Sequence, residues 1–273
     1  MTEALEIRSG DVRRAAEVLL EAERSVTARG PITAQWPDLD LPSAYTVQYE
    51  ALQQRLHRGE TLIGVKLGLT SRAKQIRMGI DSPSLAWLTD AMVLPAGVPL
   101  PREKLIHPRA EPEIVFVMGE RLAGPGVTAA TALAAVERVY GGVEIIDSRY
   151  RDFKFTLADA VADNSSSGLF VLGPVGRSPD GMDLLHEACL LEVDGQITDS
   201  ATGAAVQGHP AEALALAANS LGARGLAIEA GAVVLTGGMT DAVHVRPGAR
   251  VAAHFSTLGT VTIAGGTACR SST

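Results

Sequence analysis

Glu111 and Glu113 carry the plainest chemical potential in this chain. They lie two residues apart in His107-Pro-Arg-Ala-Glu111-Pro-Glu113, at the mouth of the apolar run Ile114 to Val117. On an extended chain, residues i and i+2 share a face, so both carboxylates point the same way. Two like charges at the edge of a core are unfavourable unless a cation compensates them or one keeps a proton. A solvated edge strand whose glutamates discourage aggregation would carry the same pattern. Glu144, within Gly141-Gly-Val-Glu144-Ile-Ile, offers a third strand carboxylate, although a glutamate between such neighbours ordinarily faces outward. Three strand carboxylates make an all-oxygen site that suits Mg2+ or Mn2+ better than zinc. His107 is either a further ligand or a structural residue.

Three more segments can join this chemistry. Lys66 stands alone in the apolar stretch Gly64-Val-Lys66-Leu-Gly68, where it must meet an anion or snorkel its ammonium into water. Asp163-Asn-Ser-Ser166-Ser-Gly168 supplies small hydroxyl and amide donors suited to a carboxylate, as an ordinary loop also would. Leu235-Thr236-Gly237-Gly238 reads as a strand end opening into glycines, where a backbone can approach closely.

The elements that must hold these residues follow from periodicity. Val12, Ala15, Ala16, Leu19 and Leu20 form one helical stripe; Tyr45, Tyr49, Leu52 and Leu56 form a second, opened by Ser43 as N-cap behind Pro42. Gly30 to Pro42 reads as a loop. Thr61–Leu67 reads as a strand and Ser71–Met78 as a short helix closed by Gly79. Further strands are expected at Glu113–Val117, Val143–Ile146, Leu169–Leu172, Leu190–Val193, Val233–Thr236 and Val251–Phe255. Asp194-Gly195 signals a hairpin, and alanine-rich helices are expected at Thr128–Val139 and Ala211–Leu221. The expected organisation is α+β, with a helical N-terminal part over 1–60 and a β-rich body over 61–273.

Composition narrows the function. A net charge of −7 argues against nucleic acid as a partner. Cys189 and Cys269 are far apart and form no CxxC pair, which fits a reducing compartment and no structural zinc. Residues 1–14 hold no apolar leader, and no stretch approaches a membrane span. A cytoplasmic enzyme is expected. No nucleophile elbow is visible, which disfavours serine-hydrolase chemistry.

Taken in order, GVKLGLTSRAKQIRMGI, HPRAEPEIVF, VEIIDSRYRDFKF, VADNSSSG, GHP and LTGG resemble the fumarylacetoacetate hydrolase superfamily, in its branch of hydratases and decarboxylases from aromatic meta-cleavage pathways. The resemblance runs from about residue 12 to residue 264. It implies a mixed β roll or barrel with Glu111, Glu113 and Glu144 holding Mg2+ or Mn2+, Lys66 as the active-site lysine, and Ser166 and Thr236 near the substrate's oxalyl end. It implies that the helix at Ser71–Met78 covers the site. It also implies a small 2-oxo diacid as substrate, a homo-oligomer, and a complex with a sister hydratase. Tyr150, Phe153-Lys-Phe155, Pro31 to Asp38, the Ala-Tyr-x-Val-Gln at 44–48, and Ser84 in place of a hydratase-type Asp resemble the decarboxylases of that branch. The expected reaction is therefore metal-dependent decarboxylation of 2-oxohex-3-enedioate, with hydration of 2-hydroxypenta-2,4-dienoate as the alternative. Ala86-Trp87 replaces a usual Phe/Tyr-Gly pair and departs from both groups.

Overall fold

Strand β3, Arg109–Met118, divides the body by its alternation. Ala110, Ile114 and Phe116 enter the main hydrophobic core; Glu111, Glu113 and Val115 take the other face. In the computed structural model, which describes residues 9–71, 75–76 and 83–267, β3 lies within a mixed seven-stranded sheet. The path runs β2 (Ser84–Thr89), β1 (Leu62–Gly68), β8 (Val233–Leu235), β3, β4 (Val136–Ile146), β5 (Ser167–Arg177), and β9 (Val243–His244) pairs with β3. Among the described strand pairs of this sheet only β1 and β8 run parallel.

A second, four-stranded sheet contains β11 (Gly259–Ala264), β10 (Arg250–Phe255), β6 (Ala188–Val193) and β7 (Gln196–Thr202). Its Leu191, Val251, Ala253 and Val261 share the core with Ile114 and Phe116. The opposite face of the larger sheet therefore carries the glutamates. The class is α+β, as expected. Among the described residues no closed barrel forms, because the sheet ends at β2 and β5. It curls enough for Leu94, beyond β2, to donate its N–H to Phe170 O on β5 at 2.9 Å.

Helix α1 (Ser9–Arg24) buries the whole expected stripe. Helix α2 (Leu41–His57) differs from expectation in two ways. Its N-cap is Asp40, whose carboxylate accepts Ser43 N–H at 2.9 Å; Ser43 is not the cap. Proline is tolerated only in the first turn, so Pro42 places the cap before itself. The buried face is Ala44, Val47, Gln48, Ala51 and Leu52, while Tyr49 is 45% exposed. Small residues let α1 and α2 approach, and the rotation follows.

Gly30–Pro42 contains a 3-10 turn at Ile32–Ala34 and the start of α2. The expected helix at Ser71–Met78 lies largely outside the described residues; within them, Gln75 N–H donates to Ser71 O. The first alanine-rich helix stops early, as α3 (Ala129–Ala134). Val136 and Val139 instead pair with Met118 and Phe116 in β4, since β-branched residues suit a pleated surface better than a helix. Helix α4 (Leu157–Ala162) was not expected; α5 (Pro210–Gly222) was. The Asp194-Gly195 hairpin joins β6 to β7, with φ of 50° and 84° at those two residues. No helix among the described residues is long and apolar enough to cross a membrane.

Candidate metal centre

The register of β3 on β4 sets Glu111 directly opposite Glu144, and Glu113 two residues along the same face. Oxygens of the three carboxylates lie within 4.8 Å of one another. Glu113 and Glu144 are buried in the middle of the sheet, so neither is a solvated edge residue. Glu113 Oε2 accepts Gly237 N–H at 2.7 Å. Glu113 Oε1 and Glu144 Oε2 are buried without a hydrogen-bond partner. Burial, then the neighbouring carboxylates of Glu144 and Glu111, hold the Glu113 carboxyl well above the usual carboxylate range. Burial also raises Glu144, against the pull of Lys66.

Lys66 does not snorkel. It is 2% exposed, and its Nζ donates to Glu144 Oε1 at 2.6 Å and to Ser165 O at 2.9 Å. Two of its three N–H bonds are thereby used. Lys66 faces Ala86 on β2 and Leu235 on β8, which puts it on the glutamate side of the sheet. Leu88, Met92, Val115, Phe170 and Leu235 form a small apolar cluster on that side.

The glycines after Thr236 have a steric cause. A Cβ on Gly238 would stand 2.2 Å from Glu111 Oε2, and one on Gly237, whose φ is +113°, would strike Thr70 Oγ1 at 2.0 Å. Only glycine lets this backbone pass under the carboxylates. Thr236 itself is fully buried and donates its hydroxyl to Ile114 O at 2.7 Å.

The turn from 163 to 167 is strained. Asn164, Ser165 and Ser166 all have positive φ, at 49°, 48° and 58°. L-residues pay roughly 1–2 kcal/mol each for that conformation. The strain aims the Ser165 carbonyl at Lys66. Ser165 Oγ also donates to Ser84 Oγ at 3.0 Å, and the Asn164 amide bonds both the N–H and the C=O of Trp87, at 2.9 Å each. Ser166 is buried; its N–H donates to Asp163 O and its carbonyl accepts Asp147 N–H. His107 is not gathered into the carboxylate cluster: Nε2 bonds with Ser148 O at 2.8 Å, and its ring lies 4.8 Å from Phe153.

Sequence reasoning thus found the carboxylates and the lysine and missed three of their supports. These are the Ser165 carbonyl, the Asn164 clamp on β2, and the Arg149–Asp163 ion pair behind the turn. A backbone carbonyl leaves no signal in a sequence. The pair had one, since Arg149 and Asp163 both lie beside apolar, core-forming segments.

These donors fit a hard divalent cation. All are oxygens, two are buried and unpartnered, and their spacing admits one ion between them. Fold and site together define a class: an open mixed β body with a carboxylate triad, two of its members buried, and an adjacent buried lysine on its free face. The chain belongs to the fumarylacetoacetate hydrolase family, whose model for the fumarylacetoacetate (FAA) hydrolase C-terminal region matches residues 62–264. It is 40% identical over 246 residues to 4-oxalocrotonate decarboxylase of Pseudomonas sp. (strain CF600), covering 90% of this chain and 93% of that protein. It is 41% identical over 247 residues to 2-hydroxyhexa-2,4-dienoate hydratase of Comamonas testosteroni, covering 90% and 94%. Among solved structures it is similar to 4-oxalocrotonate decarboxylase from Pseudomonas putida G7, complexed with magnesium and adipate. The TM-score is 0.92 at 38% identity, over 94% of this chain and 98% of that one.

Proposed function

We propose that this chain is a carboxy-lyase that converts 2-oxohex-3-enedioate into 2-hydroxypenta-2,4-dienoate and CO2, using Mg2+ or Mn2+ held by Glu111, Glu113 and Glu144. The observation that carries the reading is the carboxylate cluster, whose buried Glu113 and Glu144 each keep one unpartnered oxygen, beside a buried lysine. The solved relative with magnesium and adipate supports it, because adipate has the same six-carbon, two-carboxylate skeleton. Identity to named decarboxylases and to a hydratase is nearly equal, so the choice rests on Ser84. That side chain is buried, uncharged and bonded to Ser165, beside a cavity of about 760 Å3 between α2 and α5. A carboxylate there would repel the distal carboxylate of a diacid.

In the reaction the C5–C6 bond breaks and CO2 leaves. Its electron pair becomes the C4=C5 bond, the C3=C4 pair moves to C2=C3, and the carbonyl pair settles on the 2-oxygen as a dienolate, which takes up a proton. When bound, the cation supplies positive charge beside the 2-keto group, where that negative charge develops. Lys66 offsets part of the excess negative charge of three glutamates and a dianion. Its remaining N–H is available to hold or return the proton at the 2-oxygen. Ser166 contributes its hydroxyl to the oxalyl end. Thr236 fixes the strand end from which Gly237 holds Glu113.

The reading includes a helical N-terminal part over 1–60 beside a β-rich catalytic body over 61–273, a cytoplasmic location, and a homo-oligomer that associates with a sister hydratase. Symmetric assembly is the ordinary state of such enzymes, and Leu41, Tyr49 and Leu62 leave exposed apolar surface for it. The deciding experiment offers both substrates, with Mg2+ and with EDTA. Metal-dependent CO2 release from the diacid is expected. Rapid hydration of the dienol without CO2 release would make the protein a hydratase.

A further inference from the structure

Three consecutive left-handed residues need something to hold them, and the structure shows what does. The Arg149 guanidinium reaches both ends of the 163–167 turn. Its Nε pairs with Asp163 Oδ1, NH2 donates to Asp163 O at 2.5 Å, and NH1 donates to Ser167 O at 2.7 Å. Asp163 Oδ2 accepts Arg149 N–H at 3.0 Å and the Ser148 hydroxyl at 3.4 Å. Both side chains are buried, at 4% and 1% exposure. Between the two gripped ends stands Ser165, whose carbonyl is one of the two acceptors of Lys66 Nζ.

The clamp is anchored on its far side as well. Arg29 N–H donates to Arg149 O at 2.9 Å and Arg151 N–H to Arg29 O at 2.8 Å, which ties the clamp to the segment that leads from α1 to α2. Tyr150 packs with α1, α2 and α4 in one apolar cluster. A chain of direct contacts thus runs from the helical N-terminal part through Arg149 and Asp163 to Ser165 and on to Lys66.

We infer that Arg149 and Asp163 are positioning residues for the reaction: their ion pair fixes the strained turn whose Ser165 carbonyl orients the Lys66 ammonium. The inference rests on the proposed role of Lys66. An ion pair that served only the fold would not need to grip both carbonyl ends of a strained turn. Nor would it explain why uncharged, non-glycine residues keep positive φ there. The pair touches neither the carboxylate triad nor Ser84 directly, and of the turn's contacts the one that reaches the triad is the Ser165 carbonyl on Lys66, which in turn donates to Glu144.

The test uses the full-length, Mg2+-loaded protein and the variants Asp163→Asn, Arg149→Lys and Arg149→Met/Asp163→Asn. The double variant removes both charges of the pair, so neither is left buried without the other, and it thereby guards against simple unfolding. For each, kcat and KM on the diacid are measured together with calorimetric Mg2+ affinity. Expected are falls in kcat of about tenfold or more in Asp163→Asn and in the double variant, with Mg2+ affinity within about twofold and KM changed less than kcat. Arg149→Lys, which keeps a cation for Asp163, should retain more kcat than the double variant. Wild-type kcat in a folded Asp163→Asn or double variant would overturn the inference. So would a parallel collapse of KM and Mg2+ affinity, or a charge-free double variant that cannot fold, since each makes the pair a fold element only. Lys66→Met is run alongside: wild-type turnover there refutes the role of the lysine itself, whatever the clamp variants do.

Discussion

Removing the divalent ion should destabilise the protein by an amount that grows with pH. Without an ion, three carboxylates lie within 4.8 Å. At that distance and an effective dielectric of 20, each ionised pair repels by about 3.5 kcal/mol. Lys66 relieves part of this at Glu144, and uptake of a proton relieves more; burial first, and then this repulsion, push Glu113 well above its usual range. The sign follows from linkage. A carboxyl whose folded pKa is raised binds more protons in the native state than in the unfolded one, so ion-free stability falls as pH rises from the unfolded value of about 4.5 through the raised one. A bound ion keeps the carboxylates charged and removes that slope. At a free Mg2+ concentration 100 times its dissociation constant, binding adds about 2.7 kcal/mol, equivalent to a rise in Tm of roughly 5–11 °C for a domain of this size. Thermal scans with Mg2+ and with EDTA, at several pH values, measure the gap. It should be widest at alkaline pH and narrow on acidification, and calorimetry in two buffers should detect proton release on Mg2+ binding. Superimposable scans at alkaline pH, or binding without proton release, would refute the reasoning.

Three further outcomes can be checked. Lys66→Met should keep the fold and Mg2+ binding while turnover drops by on the order of 100-fold or more, the usual size of a lost acid–base contribution; steady-state kinetics decide it. Gly238→Ala drives a methyl group into Glu111 Oε2, so its calorimetric Mg2+ affinity should fall by about tenfold or more, as when other groups that orient ligands are disturbed. Ser84→Asp should raise KM for the diacid, because a second carboxylate about 4 Å from the substrate's would cost up to about 4 kcal/mol at an effective dielectric of 20; the KM of a monoacid analogue should change far less.

The sequence by itself determined which residues could do chemistry and which elements carried them. Period-2 alternation put Glu111 and Glu113 on one face, and apolar neighbours marked Lys66 and Glu144 as charges in need of partners. The ordered motifs led to the right family, and they did so because glycine and carboxylate spacings are local. Local rules also set the limits of that reading. Ser43 looked like a cap until Asp40 took the position. Val136 to Val139 read as helix because the partner strand that recruits them, β3, lies about twenty residues away.

Only the tertiary structure decided the rest. Lys66 meets Glu144 across 78 residues and Ser165 across 99, and no periodicity encodes such distances. The pairing of Glu111 with Glu144 is a matter of register, where a slip of one residue would turn one carboxylate to the other face of the sheet. The left-handed turn at Asn164 to Ser166 has no glycine within it to announce it. It exists because Arg149 and Asp163, brought together by the fold, hold it against its own local preference.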